Sequence, residues 1–207
     1  MEISSLSEKS NKEFLNFCFE ELERIKQPTK LGDILFFIGV ANEYLGKEQL
    51  TNLYAFGESK NKLIKSGLIH ALTGIQAHQA IKILTTLSYD KSKDIRKSAV
   101  FALAFHTNKL RKLVKETLWA RLNDKESQIM EIAIIGLAKR NDPRLKEVIR
   151  IKLLEEGPAE YLITAIVELR DLELLSLVKK GDRIKEINKR VNYGEIERFR
   201  KELLKIQ

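Results

Sequence analysis

The chain has 207 residues, 43% of them hydrophobic and 32% charged, with a formal net charge of +8. That length allows one domain or at most two small ones, and that balance excludes both a disordered chain and a membrane-embedded one. With 3 Pro and 10 Gly there is too little punctuation for a sandwich or barrel, and the single cysteine, Cys18, excludes an internal disulfide framework.

Residues 1–11 are polar and mixed in charge, without the apolar stretch of a secretory signal. The first amphipathic pattern runs over 12–26, with Phe14, Leu15, Cys18, Phe19, Leu22 and Ile25 on one face. Residues 31–45 are nearly all apolar and are expected to be buried. Their apolar run 34–41 is the longest in the chain and far short of the ~20 residues that span a bilayer, so a cytoplasmic location is expected. A short helix is predicted over 49–56. Together these form one or two irregular hairpins, an N-terminal cap over residues 1–60.

From residue 61 the chain repeats itself. Segments 62–72, 95–103, 129–137 and 161–169 share one pattern, closed by Leu72, Leu103, Leu137 and Leu169. A period near 32 residues is the size of a helical hairpin. Each segment reads as its second helix. In the clearest copy Ile95, Ala99, Ala102, Leu103 and His106 make one core stripe. Ala99, Ala133 and Ala165 recur at one site, with Leu68 in the first copy, and small side chains there let a partner helix approach. First helices are predicted over 77–89, 109–123 and 144–156. Asp90 and Asp124 end first helices; Asp94, Ser127 and Pro158 are placed where second helices begin, as N-caps or a first-turn proline. Asp142-Pro143 opens another first helix, and Gly157 and Gly181 are stop signals. No useful stretch alternates with period 2, so no strands are predicted. Residues 61–178 are thus the repeats. Residues 179–207 form a C-terminal cap of two charged helices, 182–191 and 194–206, the last with Ile196, Phe199, Leu203 and Ile206 on one narrow face.

Asp94-Ile95-Arg96, then Ala99 and Ala102-Leu103, resembles the HEAT-repeat signature of aspartate, apolar-arginine, spaced alanines and leucine. The short period and the Asn141-Asp142-Pro143 turn look most like the short HEAT-like repeats of phycobilisome lyases. The arginine position is Lys65, Met130 and Leu162 in the other copies. The resemblance implies an all-α, right-handed α-solenoid of about four to six hairpins in a single domain, an armadillo-like superhelix. It is almost silent on activity, because such repeats serve many unrelated proteins.

In such a solenoid the second helices line the concave face. The predicted partner-binding set there is His70, Lys97, Phe101, Ile135, Val167 and Arg170, with a partly apolar column His70, Phe101, Ile135, Val167. Two readings of the column stand side by side: a groove for a partner helix or extended segment, or a surface buried by curvature or by the C-terminal helices. Residues 1–60 carry a net charge of −3 and residues 61–207 one of +11. Lys65, Arg96, Lys139 and Arg140 are therefore candidate contacts for phosphate or an acidic partner.

Chemistry-bearing patterns point nowhere else. His70, His78 and His106 include no i, i+4 pair, so neither a metal nor a cofactor is expected. Cys18 sits on an apolar face and is expected to be inert. HEAT-like DNA glycosylases use a concave aspartate flanked by tryptophans. Here the only tryptophan, Trp119, falls on a first helix, and Asp90, Asp94, Asp124, Asp142 and Asp171 are all read as turn residues. The expected function is a non-enzymatic scaffold or adaptor that binds a protein partner on the concave face. The alternative is a nucleic-acid binding protein using the basic residues.

Overall fold

The computed structural model describes residues 2–180, and side-chain surroundings over 8–178. The helices expected at 182–191 and 194–206 lie outside the described residues. Every element among the described residues is helical: α1 (Glu2–Arg24), α2 (Pro28–Val40), α3 (Lys47–Tyr54), α4 (Lys62–Leu72), α5 (His78–Leu87), α6 (Lys93–His106), α7 (Arg111–Arg121), α8 (Ser127–Ala138), α9 (Leu145–Glu155), α10 (Glu160–Leu169) and α11 (Leu172–Lys180). Short 3-10 turns occupy Asn42–Tyr44 and Ala55–Glu58. The second helices start at Lys62, Lys93, Ser127 and Glu160, close to the predicted period. The chain is an all-α helical repeat protein. It divides into units of residues 1–117 and 118–207.

In the first unit the second helices α2, α4 and α6 form one layer, with α4 packed against both of the others. On their inner side α5 packs against α3, α4 and α6, and α1 packs against α2. Leu68, Leu72, Ile81, Leu84, Ile95 and Leu103 are almost wholly excluded from solvent. Burial of each such side chain stabilises by roughly 1.5–3 kcal/mol before entropy is counted. The recurrent alanine position is fully buried in each unit, at Ala99, Ala133 and Ala165.

The α2–α4 seam is closer than alanines would permit. A β-carbon on Gly67 would lie 2.3 Å from the Gly32 carbonyl oxygen, and one on Gly32 would lie 2.8 Å from the Leu63 carbonyl oxygen. These helices therefore touch backbone to backbone, and only glycine fits between them.

The turns within hairpins share one device. Asp90 Oδ1 accepts from the Ser92 N–H, and Asp124 Oδ1 accepts from the Glu126 N–H, so each aspartate folds the chain into the following helix. Arg96 reaches back from α6 to donate to the Asp90 and Lys91 carbonyls.

In the second unit α8 packs on α10, and α11 packs on α9 and α10. Both second helices end alike. Asn141 and Arg170 take the left-handed conformation (φ 48° and 54°), while the next N–H, of Asp142 or Asp171, bonds back to the Leu137 or Ile166 carbonyl. The carboxylates of Asp142 and Asp171 then accept from the N–H groups of Arg144 and Leu174.

Three expectations need correction. α6 and α8 begin after Ser92 and Glu126, so Asp94 and Ser127 lie inside the first turn rather than capping it. His106 is exposed instead of sharing the core stripe, because it falls at the last helical residue, where the turn swings it outward. The apolar run over 31–45 is not buried throughout. α2 stops at Val40, and Phe36, Phe37 and Val40 are 49%, 53% and 69% exposed.

Candidate partner-binding face

The layer of second helices in the first unit has an outer face, turned away from α1, α3 and α5. Its composition follows from helical pitch. With Leu35 and Ile38 of α2 buried, Phe36 and Val40 point outward; with Leu68 and Leu72 of α4 buried, Ser66 and His70 do; with Ala99 and Leu103 of α6 buried, Lys97 and Phe101 do.

The aromatic groups of this face come in two clusters. The His70 ring stacks on Phe36, centroids 3.9 Å apart and planes 16° from parallel, and its Nδ1 lies 2.9 Å from the Phe36 carbonyl oxygen. That carbonyl can only accept, so Nδ1 carries the proton of this hydrogen bond. On α6, Phe101 lies 4.8 Å from Phe105 and 5.6 Å from the His106 ring. Phe101 is 46% exposed, and Leu63 at the start of α4 is 49% exposed. Rings packed against one another yet open to water form a surface that is already ordered and still has apolar area to bury.

Charge is sparse and mostly paired here. Lys62 of α4 reaches Asp94 of α6 at 2.5 Å. The hydrogen bond and charge of Lys62, aided by Lys93 and Lys97, hold the Asp94 carboxyl below its usual range.

The remaining candidates are placed as follows. Ile135 and Val167 are half-buried on α8 and α10 of the second unit. Arg170 is exposed but stands past the end of α10, in the turn rather than on the helical face. Lys65 is ion-paired with Asp90, both mostly shielded from solvent. Arg96 is hydrogen-bonded to the turn carbonyls already described. Lys139 pairs with Glu168 at 3.0 Å. Arg140 is buried and donates to the Gly136 carbonyl at 2.7 Å, at the end of α8.

Sequence reasoning passed over Phe36, Phe37, Val40 and Leu63. A signal for the first three exists in the chain. The apolar residues of 31–45 run all round the helix, more than one buried face can hold, while Gly32 and Gly39 mark the side pressed against a neighbour. Trp119, in the second unit, carries the Arg144 guanidinium 4.6 Å above its ring, a packing contact on a first helix. Cys18 is buried, and that burial pushes its thiol pKa up, away from reactivity. Among the described residues no three His, Cys, Asp or Glu side chains converge as metal ligands would.

No family model matches the chain. Over 129 residues it is 29% identical to Protein YibA of Escherichia coli K12 and equally to Protein YibA of Escherichia coli O157:H7. That match takes in 62% of this chain and 45% of each relative, so the chain spans about half the length of the curated relatives it matches. Among solved structures it is similar to a computationally designed armadillo repeat protein for modular peptide recognition, at 18% identity and a TM-score of 0.48, over 86% of this chain and 90% of that one.

Proposed function

We propose that this protein is a non-enzymatic interaction scaffold of HEAT-like repeats, acting in the cytoplasm, and that it binds a protein partner through the outer face of α2, α4 and α6. One observation supports the reading: Phe36 and His70 hold stacked rings at the surface, and Phe101 packs at a tilt against Phe105 and His106. What such a face offers a ligand is apolar area and ring edges, which suit aliphatic or aromatic side chains of a helix or an extended peptide. The Phe36 and His70 rings are pre-positioned by α2–α4 backbone contact and by the Nδ1 hydrogen bond, so little order remains to be imposed on them on binding.

The nucleic-acid reading gains no comparable support. Lys65, Arg96, Lys139 and Arg140, the cations it would enlist, are all held by acceptors of the protein itself.

Selection of peptides from a random display library against the whole chain tests the proposal. The expected winners carry two or more large apolar side chains, and their binding is lost on Phe36→Asp and on Phe101→Asp. Winners that bind both variants as well as the parent chain, or an enrichment of polyanions alone, would contradict it.

A further inference from the structure

His70 donates its Nδ1 proton to the Phe36 carbonyl oxygen at 2.9 Å, and its ring lies stacked on the Phe36 ring. A neutral imidazole carries one proton, so Nε2 is then a bare acceptor. Nε2 has no hydrogen-bond partner among the described residues. It stands in an apolar field, because α4 lies between the exposed Phe36 and Val40 of α2 and the exposed Phe101 of α6. Resting on the partner-binding face proposed above, we propose that His70 is the polar contact by which that face selects its partner. Its Nε2 accepts a hydrogen bond from a main-chain N–H of an extended peptide, and proton uptake at that nitrogen releases the peptide.

Covering Nε2 with apolar side chains alone would strand a desolvated acceptor, so a partner that seals this face must bring a donor to it. A helix does not supply one from its backbone, because beyond the first turn its N–H groups are already bonded within the helix. An extended segment keeps its N–H groups free, and its side chains alternate between its two faces. It can set one N–H on Nε2 while apolar side chains reach the rings of Phe36 and Phe101.

The bond to Phe36 makes this acceptor switchable. Nδ1 keeps its proton whether the imidazole is neutral or charged, so acid leaves the ring in place and turns Nε2 alone from acceptor into donor. The peptide N–H then meets an N–H of the protein. Other ionisable groups border the ring. Glu43 and Tyr44 lie in the turn after α2, where Asn42 donates to the Ala71 and Thr73 carbonyls. Asp33 stands one turn before Phe36 on α2, Lys62 of α4 is paired with Asp94, and Lys97 and His106 lie on α6. Replacing His70 alters none of them, so any pH effect of theirs would survive its replacement.

The probe is a display-selected apolar peptide without His, Asp or Glu, together with its amide-to-ester analogues, each of which replaces one N–H by oxygen. Calorimetric titration of these into the whole chain decides the matter. One ester should bind wild type about fivefold or more weakly than the parent peptide. That loss should vanish in His70→Phe, which keeps a ring against Phe36 and lacks both nitrogens. The parent peptide should bind wild type about fivefold or more weakly at about pH 5 than at about pH 7.5, and His70→Phe equally at both. His106→Phe should keep the wild-type pH dependence. If His70→Phe does not fold, His70→Asn keeps a donor for the Phe36 carbonyl, ends short of Nε2 and should give the same results. An ester scan in which no position couples to His70 would overturn the inference and leave the proposed face standing. So would acid weakening that persists in the His70 variants. A chain that selects no such peptide, or one whose peptide binds Phe36→Asp as well as wild type, would contradict the face itself and the inference with it.

Discussion

The imidazole of His70 lies flat on the ring of Phe36 while its Nδ1 bonds to the carbonyl of that same phenylalanine. Two contacts to one residue lock the ring, and Gly39 makes room for it: a β-carbon there would fall 2.1 Å from Nδ1 and 2.8 Å from the His70 carbonyl oxygen. The surface stack and the buried α2–α4 seam are thus one construction.

The seam predicts an inversion of helix propensity. Alanine normally stabilises a helix by about 1 kcal/mol over glycine. Gly67→Ala should instead destabilise the protein by about 1–3 kcal/mol, because its β-carbon meets the Gly32 carbonyl oxygen and the Leu35 side chain, and backbone must shift to admit it. Urea denaturation measures this. A variant as stable as wild type, or more stable, would show that the helices can separate freely.

Asp90 predicts a pH dependence. Burial raises its pKa, but the Lys65 hydrogen bond, the Ser92 N–H and the charges of Lys65 and Lys91 outweigh that, and the carboxyl titrates below its ordinary value. A depressed folded-state pKa stabilises the fold above the unfolded value, near 4, and the contribution fades as pH falls through the folded one. Asp90→Asn should cost about 1–3 kcal/mol at neutral pH and flatten the acid limb of the stability curve. Its amide oxygen can still accept from Ser92, so Asp90→Ala should cost more. Chemical denaturation at neutral and acid pH checks both points.

Arg170 predicts a stabilising change. It occupies a left-handed backbone conformation (φ 54°) with an exposed side chain. Arg170→Gly should raise stability by up to about 1 kcal/mol, since glycine adopts that conformation without a β-carbon clash. Asn141→Gly should gain less, because asparagine tolerates the left-handed region better. Thermal melts of the two variants compare them directly, and a loss of stability in Arg170→Gly would contradict the argument.

Most of the fold was legible in the residues. The leucine spacing and the buried alanines gave the hairpins, with ends within a few residues, because a helix pair repeated along a chain imposes the same apolar stripe each time. Asp90 and Asp124 were legible as turn residues for the same reason. The aromatic face was only half legible. Phe101 stood opposite a clear core stripe, whereas Phe36, Phe37 and Val40 sat in a run apolar on every side, where periodicity carries no direction. Their exposure is decided by Gly32, Gly39 and Gly67, whose backbone contact turns one side of α2 toward α4 and leaves the phenylalanines outside. The cations are a different case: composition counts charge, whereas the ion pair of Lys65 with Asp90 and the hydrogen bond of Arg140 to the Gly136 carbonyl depend on partners that only the folded chain brings into reach.

The central claim, that the α2/α4/α6 face receives a partner, is tested most directly by calorimetric titration of a selected apolar peptide into wild type and Phe36→Asp. Phe36 is about half exposed and its ring stacks on His70, so its replacement should cost about 1–2 kcal/mol of folding stability. The account predicts at least a tenfold loss of affinity, about 1.4 kcal/mol, measured at a temperature well below the melts of both proteins. Equal affinity for the two proteins would contradict it.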